Sequence, residues 1–279
     1  MPALLRPIAF VTALGLALAP VGCQTQEPRT ALSYTANAKK AYEEAMEEFK
    51  ARNWIEAQTK MREVRRKYSY SRYARLAELR IADADFEQDK FAEAMRGYRQ
   101  FVHDHRADTE DVSYARARIA EAEYRQISDS LLLPSASERD QASVVDAYKE
   151  LRGYLNDYPD AAESRRAREL LSDVTARLMR HELYVARFYI ARANYDAAVS
   201  RIQHALRNYG EPTEGSEAAG AQASGLEPEA LLLLGETYLK MHKWTDARDA
   251  FTTLLRRYPT SGLTVPARGY LETMRVRGV

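Results

Sequence analysis

Side chains able to do acid–base or ligand chemistry are few in this chain, and they do not converge. The histidines are His103, His105, His181, His204 and His242. His103 and His105 stand two apart, which on a helix turns them to different sides. No cysteine or acidic cluster completes a metal set around them, and the one cysteine, Cys23, lies far off in sequence. His181 falls seven residues after Val174 on an apolar stripe, and is expected to be a hydrogen-bonded core histidine. There is no G-x-S-x-G, no H-E-x-x-H and no glycine-rich phosphate loop. Catalytic residues, metal ligands and cofactors are therefore all expected to be none. Tyrosine is abundant, at 18 residues, and Tyr68, Tyr70 and Tyr73 cluster at one turn. They either close a structural unit against its neighbour, or form a mobile aromatic edge that holds an extended substrate peptide.

The elements that must carry these residues repeat. Trp54, Ala57, Met61, Val64 and Tyr68 follow steps of 0, 3, 7, 10 and 14, one face of an α-helix. The steps return as Phe91, Ala94, Tyr98, Phe101, His105; as Val144, Ala147, Leu151, Tyr154, Tyr158; as Tyr195, Ala198, Ile202, Ala205, Tyr209; and as Trp244, Ala247, Phe251, Leu254, Tyr258. Alanine holds the +3 place every time. A methyl between large groups describes a helix whose neighbour comes very close at one point.

Such a helix resembles the second helix of a tetratricopeptide unit. An upstream first helix is visible in Ala41, Ala45, Met46 and Phe49, and in Leu231, Leu234, Gly235 and Tyr238. The fold class expected is all-α: a right-handed superhelical solenoid of five tetratricopeptide-like helix pairs with a C-terminal capping helix. The repeats are placed at about 33–68, 71–105, 111–158, 162–209 and 228–258, and the capping helix at 264–277. Ser71 is a fair N-cap for the first helix of repeat 2. Copy starts are 37, 53, 51 and 49 residues apart, against about 34 for a standard unit. The surplus takes three forms: a Leu131–Pro134 segment with a polar loop through Asp140, one long helix from about Ala162 to Arg192, and a flexible loop at 210–228. Leu171, Val174, Leu178, Val185 and Phe188 give the long helix a single apolar stripe.

Lysine plus arginine is 41 and aspartate plus glutamate 40, a net charge of +1. This balance argues against nucleic acid as a partner, which would select a basic stripe. Residues 1–22 read as a signal peptide. Arg6 supplies the positive start, and the apolar run Ile8–Ala19 is too short to span a bilayer, which takes roughly 20 residues. Pro20-Val21-Gly22-Cys23 resembles a bacterial lipobox, with Pro20 where that motif prefers leucine. Cys23 is then the lipidation site and 23–32 a tether. The alternative is an ordinary secretory signal with an incidental cysteine. Either way the chain leaves the cytoplasm, with no internal disulfide.

Three stretches carry a closer resemblance. Asn53-Trp54-Ile55-Glu56-Ala57, followed by Lys67-Tyr68-Ser69-Tyr70-Ser71-Arg72-Tyr73, is similar to N-W-x-x-A and R-Y-P-F-G-P-Y of the BamD family, with Ser69, Ser71 and Arg72 replacing Pro, Gly and Pro. Asp146–Pro159 resembles that family's third-repeat segment. Glu182–Arg192 matches its E-x-x-V-A-x-x-Y-x-x-R, with Tyr195 where tryptophan is common. The likeness runs from about Ser33 to Tyr209, more loosely to the end, and the 210–228 loop departs from the family's compact turn. BamD proteins are outer-membrane lipoproteins of the β-barrel assembly machinery. The resemblance implies a periplasmic scaffold, not an enzyme, lipid-anchored at the cell outer membrane. It implies that the N-terminal repeats receive unfolded outer-membrane proteins. The C-terminal repeats would dock on the periplasmic domain of a BamA-like barrel protein, beside other assembly-complex lipoproteins. The family's docking arginine falls on Arg201, six after Tyr195, where helical spacing points away from the packed face; Arg192 closes the motif as a second partner-binding candidate. The competing readings are a tetratricopeptide lipoprotein serving pilus, secretion or other envelope machinery, and an enzyme subunit or carrier, which no constellation supports.

Overall fold

The computed structural model describes residues 31–107, 109–127, 137, 140–210 and 224–279. The signal peptide, Cys23, most of the tether, Leu131–Pro134 and most of the 210–228 loop lie outside the described residues. Those described hold eleven α-helices and no strand. They pair in chain order as α1 (Ala31–Lys50) with α2 (Trp54–Lys67), α3 (Arg72–Phe86) with α4 (Phe91–Asp104), α5 (Thr109–Arg125) with α6 (Ala142–Asp157), α7 (Ser164–Ala191) with α8 (Tyr195–Tyr209), and α9 (Glu227–Lys240) with α10 (Trp244–Arg257). α11 (Thr264–Arg277) closes the stack. Each helix packs on the next, and α1 on α3 and α5 on α7 add contacts between first helices. The result is a superhelical solenoid. No described helix is long and apolar enough to cross a membrane.

Burial follows the repeat steps. The +3 alanines Ala57, Ala94, Ala147, Ala198 and Ala247 are each 0% exposed. Met61, Tyr98, Leu151, Ile202 and Phe251, seven residues into each copy, are equally buried. Four second helices begin at the residue that opens the pattern, and α6 begins two residues ahead of Val144. Ser71 caps α3, its hydroxyl accepting from Ala74 N–H at 3.2 Å. α7 runs unbroken for 28 residues.

Its apolar stripe is not single, however. Leu171, Val174 and Leu178 pack with α6, whereas Met179, Leu183 and Ala186 pack with α8 and α9. The buried face rotates because two successive neighbours cover different sides of the helix. Phe188 therefore drops off the stripe and is 44% exposed. His181 is half-buried, its Nδ1 2.8 Å from the Ser137 carbonyl.

The turns inside four pairs share a backbone device. Arg52, Asp89, Ala193 and His242 each have φ between 57° and 60° and stand two residues ahead of the second helix. The left-handed region costs an L-residue on the order of 1 kcal/mol, and glycine almost nothing. Ala193 is exposed. Ala193→Gly is accordingly expected to stabilise the fold by about 0.5–1 kcal/mol, read as a higher thermal midpoint; an unchanged or lower midpoint would mean the turn is not strained.

Candidate functional site

Two surfaces stand out, one in the middle of the stack and one at the α7–α8 end. First helices line the former. Leu79 and Arg80 from α3, Thr109 to Asp111 with Ser113 and Tyr114 from α5, and Tyr158 with Ala161 to Glu163 ahead of α7 line a cavity of about 530 Å³. A second depression, about 540 Å³, continues it past Arg72, Arg75 and Leu76, sharing Thr109, Glu110 and Asp111. Arg75 Nε meets Asp111 Oδ2 across this groove at 3.3 Å. Basic, acidic and aromatic groups alternate along an open trough, which suits an extended polypeptide better than an enclosed small molecule.

The groove is braced from beneath by Asp83, a buried carboxylate. It accepts hydrogen bonds from Arg80 on its own helix, from Tyr98 of α4 and from Tyr114 of α5, the last at 2.9 Å. Arg118 Nε stands 3.9 Å away, with its guanidinium stacked 3.7 Å over Phe86. Burial, reinforced by the Asp83 charge, pushes the Tyr114 phenol up to about 12 and the Tyr98 phenol higher still. Both therefore stay protonated donors, and one carboxylate ties three helices of two repeats together.

The three tyrosines at the first turn separate. Tyr68 is buried, its ring edge-on to Tyr34 at 5.4 Å. That corrects its place in an open peptide edge: as C-cap of α2 it closes the repeat. Tyr73 is half-buried against Tyr42 at 5.7 Å. Only Tyr70 is free, 97% exposed and two residues ahead of the groove residue Arg72.

At the α7–α8 end, Arg192 lies with its guanidinium 3.5 Å over the exposed Phe188 ring. Arg201 is about half exposed but not unpartnered. Its Nη1 meets Oε2 of Glu182 at 3.3 Å, and Glu182 is itself almost buried between α7 and α8. The helical spacing turned the arginine outward; an acid one helix away folds its head back. His204 Nδ1 approaches the other Glu182 oxygen at 3.5 Å. Arg192 and Arg201 do not meet: the structure brings Arg201 to Glu182 and Arg192 to Phe188. Glu182 stood inside the quoted motif, yet sequence spacing offered no sign that it clamps Arg201. Among the described residues no group of histidine, cysteine and acidic side chains could hold a metal. His105 instead pairs with Glu78 at 2.7 Å, and His103 with Asp104 at 2.8 Å.

The chain is thus a tetratricopeptide-repeat solenoid with an open groove and an aromatic–guanidinium end. The comparisons give the family. A family model described as outer membrane lipoprotein, YfiO, matches residues 35–224, and a tetratricopeptide-repeat model matches 229–261. The chain belongs to the YfiO family of outer membrane lipoproteins. It is 25% identical to outer membrane protein assembly factor BamD of Neisseria meningitidis serogroup A over 92% of this chain and 93% of that protein. It is 26% identical to BamD of Caulobacter vibrioides over 84% of this chain and 70% of the relative. Its place is at the outer membrane, and its role lies in outer membrane protein assembly.

Proposed function

We propose that the chain is a lipid-anchored, non-catalytic scaffold on the periplasmic face of the outer membrane. It holds segments of unfolded outer-membrane proteins along the α3–α5 groove, with Tyr70 and Tyr73 at its rim. Its α7–α8 end docks on the periplasmic domain of a BamA-like barrel protein through Arg192 and Arg201. The observation that carries this reading is the end of α7, where Phe188 stays in water with a guanidinium stacked on it. Aromatic and arginine side chains of this kind anchor protein interfaces. Glu182 orients Arg201 without burying it, so a partner carboxylate can share the guanidinium.

Co-purification from membrane extracts tests the reading. Wild type should carry along a large barrel protein with periplasmic repeats. Arg201→Glu should weaken that complex on the order of thirty-fold or more, since a lost interfacial charge pair costs about 2–5 kcal/mol. Because the new carboxylate would face Glu182, helicity is measured in parallel, and Arg201→Gln serves as the milder variant. A complex that survives both changes at high salt removes Arg201 from the interface. Recovery of pilus components instead would move the scaffold to other envelope machinery.

A further inference from the structure

The α2 end of repeat 1 carries a basic surface whose charged residues line neither the α3–α5 groove nor the α7–α8 end. The last turns of α2 present Arg62, Arg65, Arg66 and Lys67, all exposed, with Glu63 the one acid among them. Among the described residues neither Arg65 nor Arg66 has a carboxylate within ion-pair distance. This end is also where the chain enters the fold. Tyr34, near the start of α1, packs on Tyr68 just past α2, and its hydroxyl accepts from the Tyr70 N–H at 3.4 Å. Two large side chains are left in water there, Leu32 at 84% and Tyr70 at 97% exposure.

We infer that this pole is a docking surface for the anionic phospholipid leaflet that holds the acyl anchor. The inference goes beyond the scaffold reading and shares with it the anchor at Cys23 and the Tyr70 side chain, which stands where the groove rim meets this pole. Seven residues lie between Cys23 and Ala31, eight Cα-to-Cα steps in all. Fully extended they reach about 28 Å, at roughly 3.5 Å per residue, so the pole cannot stray far from the membrane surface. Guanidinium groups near an anionic surface strengthen attachment, and tyrosine and leucine suit the headgroup boundary. Basic residues in a final helical turn also complement the helix dipole, as Arg256 and Arg257 do in α10. The α10 end is far along the chain from the anchor, which makes it an internal control.

With Cys23 acylated, Ser69→Cys supplies the one reactive thiol, since the chain has a single native cysteine. Thiols at Ser69→Cys or, separately, Thr260→Cys are labelled with a polarity-sensitive dye. Each full lipoprotein, its acylation verified by palmitate incorporation, is placed in vesicles of phosphatidylcholine alone or mixed with phosphatidylglycerol. Dye at position 69 should shift to the blue only in anionic vesicles and revert in high salt, while dye at 260 stays unchanged. Arg65→Gln/Arg66→Gln should weaken the docking equilibrium about twenty-five-fold, at roughly five-fold per cation. The proposal is overturned by a dye at 69 that reports water in both vesicles, by equal shifts in both, or by a shift indifferent to Arg65 and Arg66. It is also overturned if the chain takes up no palmitate, or if a shift appears only when the assembly partners are added; in the last case a protein covers the pole. None of these outcomes touches the Arg201 co-purification.

Discussion

Asp83→Ala is expected to destabilise the solenoid by about 3–5 kcal/mol, the cost of removing one partner from a buried ion pair. At roughly 2–4 °C per kcal/mol for a chain of this size, the thermal midpoint should fall by on the order of 10 °C. The loss is large because the carboxylate has no substitute. Arg80 is mostly buried and keeps the Tyr114 hydroxyl at 3.4 Å and the Tyr42 hydroxyl, but no carboxylate. Tyr98 is 0% exposed and would keep only a 3.4 Å contact from Arg118 to its hydroxyl. Arg118 fares better, with Glu87 at 3.2 Å and Glu121 at 3.1 Å. The damage should thus centre on the α3–α4–α5 joint. Since each repeat is stabilised mainly by its neighbours, losing one joint should also split the melt into two transitions. Asp83→Asn should be milder, because an amide oxygen still accepts from both tyrosines. A midpoint for Asp83→Ala within a degree or two of wild type would show that the cluster is solvated in solution. Since Arg80 and Tyr114 line the groove, the same variant should also loosen the trough where a peptide is proposed to lie.

How much of this could be read from residues alone depends on whether a feature is periodic. The second helices were legible because a face that must pack on the same kind of neighbour selects the same residue sizes at the same steps. Ala57 and Ala247 lie 190 residues apart in sequence and occupy equivalent notches, both fully buried. The tight turns were not legible, because a left-handed backbone is held there by four different residue types: Arg52, Asp89, Ala193 and His242. Had glycine stood at each, the device would have shown. The fading of the α7 stripe at Phe188 was missed for a related reason: a long helix covered by two successive neighbours need not keep one face. Contacts between distant residues were hardest. Nothing in the spacing of Asp83, Tyr98 and Tyr114, or of Glu182 and Arg201, announces that they meet, since the meeting is set by how one pair leans on the next. Of the candidate site residues, Tyr70 stands in water and Arg192 lies over Phe188, neither of which spacing foretold. Tyr68 proved to be a closing residue of the core, and Arg201 a half-exposed arginine already held by an acid.

The fifth repeat offers the sharpest check on the packing argument, because there a cavity and a clash share one atom. Phe251 is fully buried and stacks on Tyr270 of the capping helix at 5.1 Å. Its ring fills the space above Gly235 so closely that a methyl built on that glycine would come within 2.4 Å of a ring carbon. Phe251→Ala should cost about 3–5 kcal/mol, by loss of buried surface and an unfilled cavity. Gly235→Ala alone should cost about 1–3 kcal/mol through overpacking, less the helix-propensity gain of roughly 1 kcal/mol. The two should not add. Once the ring is gone the methyl has room, so Gly235→Ala introduced into Phe251→Ala should turn neutral or stabilising, by propensity and by partly filling the hole. Additive losses in that double-mutant cycle would mean that the α9–α10 crossing is looser than 2.4 Å implies. A sign change would place the ring against the bare backbone, and would explain why a glycine sits inside a helix, where it otherwise weakens the fold.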